Sequence, residues 1–168
     1  EVGKMATIAM ECRVQFPDLD TKAFYFGLTD ENADTVILEG TNLVAAGASV
    51  SLTASDLCGF LLDAEATDDE DWIMVYKGGT TTGETTIANI DADDDAVAGE
   101  FQVLRLEVDT NGTARWYIDG VLKQTVKGAV STSTDLAVMA LLEARVANEI
   151  QYAWIDYIAI EANRDWTV

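Results

Sequence analysis

The stretch from Gly99 to Gly120, GEFQVLRLEVDTNGTARWYIDG, decides the fold of this chain. It contains two runs of alternating apolar and polar residues, which are joined by Asp-Thr-Asn-Gly-Thr and followed by the Asp-Gly pair at 119–120. Asn-Gly and Asp-Gly after such runs are the strongest short-range signals of β-hairpins, because Asn, Asp and Gly adopt positive φ at little steric cost. The stretch therefore predicts an antiparallel hairpin.

The spacing of the apolar residues also predicts the turn of this hairpin. A two-residue Asn-Gly turn would place the apolar residues of the two strands on opposite faces of the sheet. A three-residue loop with Gly112 in the left-handed region instead sets Leu106 opposite Trp116 and Val108 opposite Ala114. One face of the hairpin is then buried and the other is exposed. The pairs expected on the exposed face are Glu107 with Arg115 and Arg105 with Tyr117.

Similar runs recur along the rest of the chain. Residues 5–16 alternate between apolar and polar side chains, as a half-buried strand does. Leu136–Ala147 has a helix-forming composition, but its length and its neighbours favour a strand. Residues 85–90 are expected to form a weak strand, and the acidic stretches 68–71 and 91–95 are expected to be loops. The other expected strands are 23–29, 36–38, 43–44, 57–63, 72–77, 121–127 and 150–162. This pattern predicts an all-β sandwich of two antiparallel sheets.

Length and charge limit the classes of function. The chain has 168 residues, of which 49% are apolar, so it can bury a two-layer core and is expected to form one domain over residues 1–168. Its 30 acidic and 10 basic residues give a net charge of −20. Such a charge repels nucleic-acid phosphates and anionic lipids, so neither is an expected partner. An acidic exterior suited to salty surroundings is the simplest explanation of this charge.

The composition also excludes several kinds of site. The chain contains no histidine, so it holds neither a Ser-His-Asp nor a Cys-His arrangement. Histidine-containing zinc sites are excluded for the same reason, and the two cysteines cannot make a thiolate-rich zinc site. Cys12 and Cys58 lie in apolar strand runs, where we expect buried free thiols, with a single disulfide as the alternative.

The two acidic stretches offer oxygen ligands for a metal ion. Carboxylates on a loop suit Ca²⁺, so Asp91, Asp93 and Asp95 are a candidate calcium site. Neither stretch has a recognised calcium-loop spacing, and solvated acidic loops without an ion are the alternative. No other cofactor is expected.

The C-terminal half contains a family pattern. After FQVLRLEVDTNGTARWYIDGVLKQT come LAVMALLEARVAN and YAWIDYIAIEANRDW. These segments resemble the concanavalin A-like lectin/glucanase superfamily (LamG-like jelly rolls), and more narrowly the small single-domain members encoded among tailed-phage structural genes. The matching positions are Glu107–Asp109, Gly112, Tyr117–Gly120, Glu143–Arg145, Asp156–Ile158 and Arg164. The resemblance implies a two-sheet antiparallel jelly-roll β-sandwich with adjacent terminal strands.

The resemblance implies a role on a phage particle. We expect a non-enzymatic capsid decoration or cement protein that binds the major capsid protein on the outer surface of the virion and forms a dimer or trimer. No catalytic residues are expected, because the Glu-x-Asp-x-x-Glu string of the glucanase branch is absent. The alternative is a carbohydrate-binding module of a surface or tail protein, which would be extracellular and would bind a glycan through exposed aromatic residues.

Several individual residues are expected to lie at an interface or in the core. The candidate interface residues near the C-terminus are Trp166, Arg164 and Arg145. The tryptophans that lie in apolar strand runs, and are therefore expected in the core, are Trp72, Trp116 and Trp154. Asp156 lies on the same alternating face as Trp154, so we expect a buried carboxylate with hydrogen-bond donors and a structural role.

Overall fold

A computed structural model describes residues 1–4, 6–31, 43–46 and 48–163. The described residues form twelve strands and two short helical turns, a 3-10 turn at Val2–Lys4 and the helix α1 at Ile87–Ile90. The strands are β1 (Ile8–Gln15), β2 (Lys22–Thr29), β3 (Leu43–Ala46), β4 (Ser49–Leu52), β5 (Leu57–Asp63), β6 (Asp71–Lys77), β7 (Asp91–Asp95), β8 (Gln102–Val108), β9 (Ala114–Ile118), β10 (Val121–Val126), β11 (Ala137–Ala144) and β12 (Trp154–Glu161).

Ten of these strands form two antiparallel five-stranded sheets. Sheet I has the order β10-β9-β8-β1-β12, and sheet II has the order β11-β2-β5-β6-β7. β3 and β4 form a separate two-stranded hairpin. β1 and β12, near the two ends of the chain, are neighbours in sheet I. The predicted two-sheet antiparallel jelly-roll β-sandwich is confirmed. No helix in the described parts of the chain is long and apolar enough to cross a membrane.

The hairpin that decides the fold has the predicted register. Leu106 pairs with Trp116 and Val108 with Ala114. Gly112 has φ +77°, and its N–H donates to the carbonyl of Asp109 at 2.9 Å, which closes the three-residue loop. The predicted outer pairs, Glu107 with Arg115 and Arg105 with Tyr117, are also present. The hairpin therefore has one buried face and one polar face.

Aromatic side chains from both sheets fill the core between them. Phe24, Phe60 and Trp72 pack edge to face, with ring centroids about 6 Å apart. The indole N–H of Trp116 donates to the carbonyl of Gly59 at 2.9 Å, which ties sheet I to sheet II. Trp72 likewise donates to the amide oxygen of Gln102 at 3.0 Å. Burying each side chain of this size contributes about 1.5–3 kcal/mol.

The two cysteines are free and buried, as predicted. Cys12 lies on the inner face of β1, and Cys58 lies on the inner face of β5. Burial raises the pKa of the Cys12 thiol to about 12 and also raises that of Cys58. Both thiols are therefore protonated and unreactive at neutral pH.

Two secondary-structure predictions are wrong. The weak strand expected at 85–90 is the one-turn helix α1, because Ile87 and Ile90, three residues apart, are buried on one side of it. The acidic loop expected at 91–95 is the edge strand β7, which pairs with β6. β7 has a poor composition for a strand, and the backbone of its neighbour determines its conformation. The strand expected at 36–38 lies outside the described residues.

Candidate functional site

The outer face of sheet I, which points away from the core, concentrates charged and aromatic side chains. Every second residue of β1, β8 and β9 projects onto this face, and residues of β12 extend it at the sheet edge. Its charged and aromatic members are Glu11, Arg13, Arg105, Glu107, Arg115, Tyr117, Trp154, Asp156, Tyr157 and Glu161. Charged and aromatic side chains from distant parts of the sequence therefore meet on one exposed surface.

Five of these side chains form a continuous chain of hydrogen bonds across four strands. The hydroxyl of Tyr117 donates to Glu107 at 3.3 Å, and Glu107 pairs with Arg105 at 2.9 Å. Arg105 reaches Glu11 at 3.4 Å, and Glu11 accepts the hydroxyl of Tyr157 at 2.6 Å. The chain crosses three interstrand spacings, or roughly 14 Å. We call these five residues, together with Trp154, the platform.

The electrostatics of the platform fix its protonation state. The hydrogen bond to Glu11 is the main cause that raises the pKa of Tyr157. Desolvation, followed by the charge of Glu107, raises the pKa of Tyr117. The bond to Glu107 raises the pKa of Arg105. Both tyrosines therefore stay protonated and Arg105 stays charged at neutral pH, so each tyrosine hydroxyl donates to its glutamate and the remaining lone pairs of the hydroxyls and carboxylates can accept hydrogen bonds.

A β-bulge in β12 changes the expected orientation of two residues. The register between β1 and β12 shifts at Arg13 and Val14, so Asp156 is an extra residue on the β12 side. Its carboxylate is half exposed and pairs with Arg13 at 2.7 Å. The prediction that Asp156 is buried is therefore wrong. Arg13 also stacks on the ring of Phe101, with its guanidinium carbon 4.2 Å from the ring centroid.

Trp154 is the second residue whose predicted burial is wrong. It pairs with Gln15 on the outer face of sheet I and is 51% exposed, whereas Trp72 and Trp116 are fully buried as predicted. Tyr157 on the same strand is 38% exposed. β12 is an edge strand, so an apolar sequence pattern does not ensure its burial. The outer face of sheet I therefore presents an exposed indole ring next to the hydrogen-bonded chain.

A shallow cleft of about 310 Å³ borders the platform. Its floor is formed by small side chains, including Ala9, and its walls include Arg105 and Glu107 on one side and Glu161 and Asn163 on the other. The cleft exposes polar groups of the platform from the side. A flat polar surface beside a cleft can hold an extended ligand by several weak contacts.

A larger cleft lies elsewhere on the described part of the chain. It has a volume of about 680 Å³ and is lined mainly by serine, threonine and glycine residues of the stretches 49–55 and 77–85. Its one cationic side chain, Lys77, already donates to the carbonyl of Leu52 at 2.8 Å. None of the described residues that line the cleft is aromatic or carries a carboxylate, so the platform is the stronger candidate site.

The predicted interface residues are not assembled into a surface. Arg145 lies just beyond β11, and its guanidinium forms two hydrogen bonds with the carboxylate of Asp63. The two side chains are 2% and 0% exposed, so the prediction that Arg145 faces a partner is wrong. Arg145 directly follows β11, which pairs with β2, and β2 pairs with β5 on its other side. This strand order brings Arg145 close to Asp63 at the end of β5. Arg164 and Trp166 lie outside the described residues.

The predicted calcium ligands are only partly brought together. Of Asp91, Asp93 and Asp95, only Asp91 joins a convergent group of carboxylates, and the other members are Asp68 and Asp71. Burial, followed by a hydrogen bond to Asp95 and the charge of Asp91, raises the pKa of Asp71 to about 8. The two acidic stretches meet because β6 and β7 are paired.

Sequence reasoning identified the outer pairs of the hairpin but missed the platform. Arg105 and Glu107 were expected on an exposed face, and nothing in their local sequence indicates that Glu11 and Tyr157 lie beside them. The available signal is that the polar positions of each strand alternate with the apolar ones. This signal gives the face on which a residue lies but does not give the order of the strands in the sheet.

Neither a protein-family model nor a curated protein sequence matches the chain. Several solved structures have a similar fold, and three of them illustrate it. A β-glucanase from Bacillus licheniformis matches 89% of the chain with a TM-score of 0.55 and 16% identity, and the chain spans 64% of that protein. The carbohydrate-binding module CBM66 from Bacillus subtilis matches 93% of the chain over 75% of its own length, with a TM-score of 0.52 and 10% identity. The carbohydrate recognition domain of Emp46p matches 92% over 71% of its own length, with a TM-score of 0.58 and 11% identity.

These neighbours contradict the expectation of a non-enzymatic protein. The fold of the chain is shared with a glucanase as well as with carbohydrate-binding domains, so it is an enzyme-related fold. The absence of the Glu-x-Asp-x-x-Glu string does not exclude catalysis, because carboxylates that are distant in sequence can meet in a folded sheet. Glu11 and Glu107 are far apart in sequence, yet Arg105 bridges them in the sheet. The same neighbours give no support to the narrower resemblance to phage structural proteins.

Proposed function

We propose that this protein binds a carbohydrate chain on the outer face of sheet I, at the platform. The observation that carries this proposal is the hydrogen-bonded chain from Tyr117 to Tyr157, which lies on the same exposed face as Trp154. Sugars have apolar C–H faces and hydroxyl groups that both donate and accept hydrogen bonds. A surface that combines an exposed indole with fixed donors and acceptors matches both properties.

The platform is preorganised for such a ligand. Glu11 and Glu107 are each held by Arg105 and by a tyrosine hydroxyl, so their positions are fixed before the ligand arrives. Each carboxylate has further lone pairs that can accept hydroxyl groups of a sugar. Because little side-chain motion is lost on binding, the entropic cost of binding is reduced.

The charge of the protein favours a neutral glycan. The net charge of −20 repels polysaccharides that carry carboxylate or sulfate groups. On the platform the single cation, Arg105, is already paired with two carboxylates, so it offers no free positive charge to an anionic sugar. A neutral hexose or pentose polymer therefore fits the surface best.

The comparisons agree with this choice among the functions expected from the sequence. Two of the similar structures are a carbohydrate-binding module and a carbohydrate recognition domain. None of the three similar structures is a capsid decoration protein, so we propose the carbohydrate-binding alternative instead.

A glycan array followed by calorimetry with the best oligosaccharide tests the proposal. Binding to one or more neutral glycans is expected, and Trp154→Ala should weaken it about tenfold or more, because it removes the exposed indole against which a sugar ring would pack. Val121→Ala is the matched control. Val121 is 58% exposed but pairs with Ile118 and so points away from the platform, and its substitution should leave affinity unchanged.

Two results would contradict the proposal: no binding to any glycan on the array, or equal affinity of Trp154→Ala and the unaltered protein. Tyr157→Phe refines the test, because it removes the hydroxyl that donates to Glu11 and keeps the ring. The same incubations are assayed for new reducing ends, since the fold also occurs in a glucanase. New reducing ends would mean that the protein also cleaves the glycan that it binds.

A further inference from the structure

We propose that two copies of this chain associate through the edge strand β12, so that their five-stranded sheets I join into one continuous antiparallel sheet. The surface concerned is the segment 150–160, which we call the β12 strip. This association does not depend on the proposed carbohydrate binding.

The β12 strip concentrates the exposed apolar side chains of the protein. Twelve large hydrophobic side chains are exposed among the described residues, and seven of them lie in this strip. They are Ile150, Tyr152, Trp154, Ile155, Tyr157, Ile158 and Ile160, with exposed fractions between 38% and 76%. A monomeric soluble protein rarely exposes so many apolar side chains in one contiguous patch, so the strip has the character of an interaction surface.

Three isoleucines of the strip lie on the inner face of sheet I, at its uncovered edge. Ile155, Ile158 and Ile160 are paired with three buried residues of β1, which are Val14, Cys12 and Met10. Residues paired across neighbouring strands share a face of the sheet, so the isoleucines point to the same side as the core. They are nevertheless 42%, 43% and 55% exposed. A second sheet edge placed beside β12 would cover them.

The backbone edge of β12 is unpaired among the described strands and lacks the usual protection by charge. At other edges, β7 has four aspartates in five residues, and β10 has a bulge next to Lys123. The two charged residues of β12 are Asp156, which pairs with Arg13, and Glu161 at its end. Beyond the bulge at Asp156, residues 157–161 keep an unbroken register. Since charges and bulges are what keep edge strands from associating, this part of β12 is open to strand pairing.

The sequence of β12 is complementary to itself, which identifies a second copy as the partner. With Ala159 on a twofold axis, antiparallel pairing places Ile158 opposite the partner's Ile160 on the inner face. On the outer face it places Tyr157 opposite the partner's Glu161. Like charges are then not opposite each other, and the isoleucines of the two copies cover one another. One contact thus satisfies both the unpaired backbone edge and the exposed apolar row.

The exposed area of the strip agrees with a reversible dimer. Large side chains have about 200 Å² of surface each, so the strip exposes roughly 700 Å² per copy. A stable complex buries about 800 Å² per partner. Strand pairing covers the isoleucines and leaves the rings of Trp154 and Tyr157 open on the outer face, so the dimer should be weaker than complexes of that size.

The net charge predicts the direction of the salt dependence. Two copies that each carry a charge of −20 repel one another at low ionic strength. Salt screens this repulsion, with a Debye length of about 8 Å at 0.15 M, and does not weaken apolar contacts. The dimer fraction should therefore increase with the NaCl concentration, whereas a dimer held by ion pairs would dissociate.

Analytical ultracentrifugation of the intact protein over a concentration series, up to the millimolar range, tests the dimer. We expect the average mass to rise from that of the monomer toward that of the dimer. Ile158→Lys should weaken association about tenfold or more, because it brings two like charges into the interface. Leu122→Lys is the matched control. It makes the same charge change at a residue that is 50% exposed on β10, the opposite edge of sheet I, and should leave association unchanged.

A cysteine on the twofold axis tests the register. Ala159→Cys should form a disulfide between two copies under mild oxidation, because residues opposite each other in an antiparallel pair lie within disulfide distance. The native thiols of Cys12 and Cys58 are buried and do not compete. Val121→Cys, on the exposed edge strand β10, is the control and should not cross-link at the same protein concentration.

Any of four results would overturn the proposal: a monomer at every concentration, a dimer fraction that falls with added NaCl, equal association of Ile158→Lys and Leu122→Lys, or equal cross-linking of the two cysteine variants. Circular dichroism checks that each variant is folded. If Ile158→Lys does not fold, Ile160→Lys replaces it, because Ile160 is 55% exposed. Association of that variant equal to that of Leu122→Lys would likewise count against the β12 interface.

Discussion

Two Asp–Arg ion pairs of this protein have the same chemistry and opposite surroundings. Asp63 and Arg145 are buried, with side chains 0% and 2% exposed, and they connect the end of β5 to the residue after β11. Arg13 and Asp156 lie on the outer face of sheet I, with side chains 38% and 52% exposed. A buried charge that loses its partner remains desolvated, whereas an exposed one is solvated by water. The buried pair should therefore be far more important for stability.

Substitution of one aspartate in each pair tests this difference. Asp63→Asn should lower the free energy of unfolding by about 3–5 kcal/mol, because it removes the negative charge from a buried ion pair. Asp156→Asn should lower it by less than about 1 kcal/mol. Urea unfolding followed by circular dichroism measures both. Similar losses for the two variants would mean that burial does not determine the contribution of these pairs.

At the scale of elements, the β8–β9–β10 unit depends on two glycines in the left-handed region. Gly112 has φ +77° and Gly120 has φ +79°, so both positions are strained for any residue with a side chain. They differ in their surroundings. A Cβ on Gly112 would lie 2.4 Å from the carbonyl oxygen of Val130, whereas a Cβ on Gly120 would have no atom within 4 Å.

Alanine at the two positions separates backbone strain from steric clash. Gly120→Ala should cost about 1–2 kcal/mol of stability, which is the cost of the left-handed conformation alone. Gly112→Ala should cost a further 1–3 kcal/mol or so, because the clash with Val130 forces the backbone to move. Urea midpoints of the two variants are compared directly. Equal losses would show that the loop around Val130 yields without cost.

The hairpin was predictable because its determinants are local. The alternation of Leu106 and Val108 with polar residues, and the position of Gly112, fix both the register and the turn. β7 was not predictable, because Asp91–Asp95 becomes a strand only by pairing with β6. Trp154 was misassigned for a related reason. Its strand has a core-like sequence, but sheet order places it at an edge, and sheet order is not encoded within any single strand.

At the scale of the whole molecule, charge is distributed unevenly. The acidic stretches 68–71 and 91–95 meet at one edge of sheet II, where Asp68, Asp71 and Asp91 converge. On the outer face of sheet I, by contrast, Arg13, Arg105 and Arg115 each pair with a carboxylate. The outer face of sheet I is therefore closer to neutral than a net charge of −20 suggests. Composition alone gave the sign of the total charge and could not give this distribution.

The candidate site was only partly predictable for the same reason. The exposed pairs Arg105–Tyr117 and Glu107–Arg115 follow from the hairpin, so half of the platform could be placed from sequence. Glu11 and Tyr157 join it because β1 and β12 lie beside β8, and these contacts link residues nearly 150 positions apart. The alternation of residues within a strand indicates the face of the sheet on which a side chain lies. Its neighbours on that face depend on the order of the strands in the folded sheet.

The most direct test of the account is a residue-resolved NMR titration of the labelled protein with the oligosaccharide that the array selects. We predict that the amide shifts change in β1, β8, β9 and β12, and that the indole signal of Trp154 changes while those of the buried Trp72 and Trp116 do not. Shift changes confined to the large cleft formed by residues 49–55 and 77–85, with Trp154 unaffected, would contradict the assignment of the binding surface to sheet I.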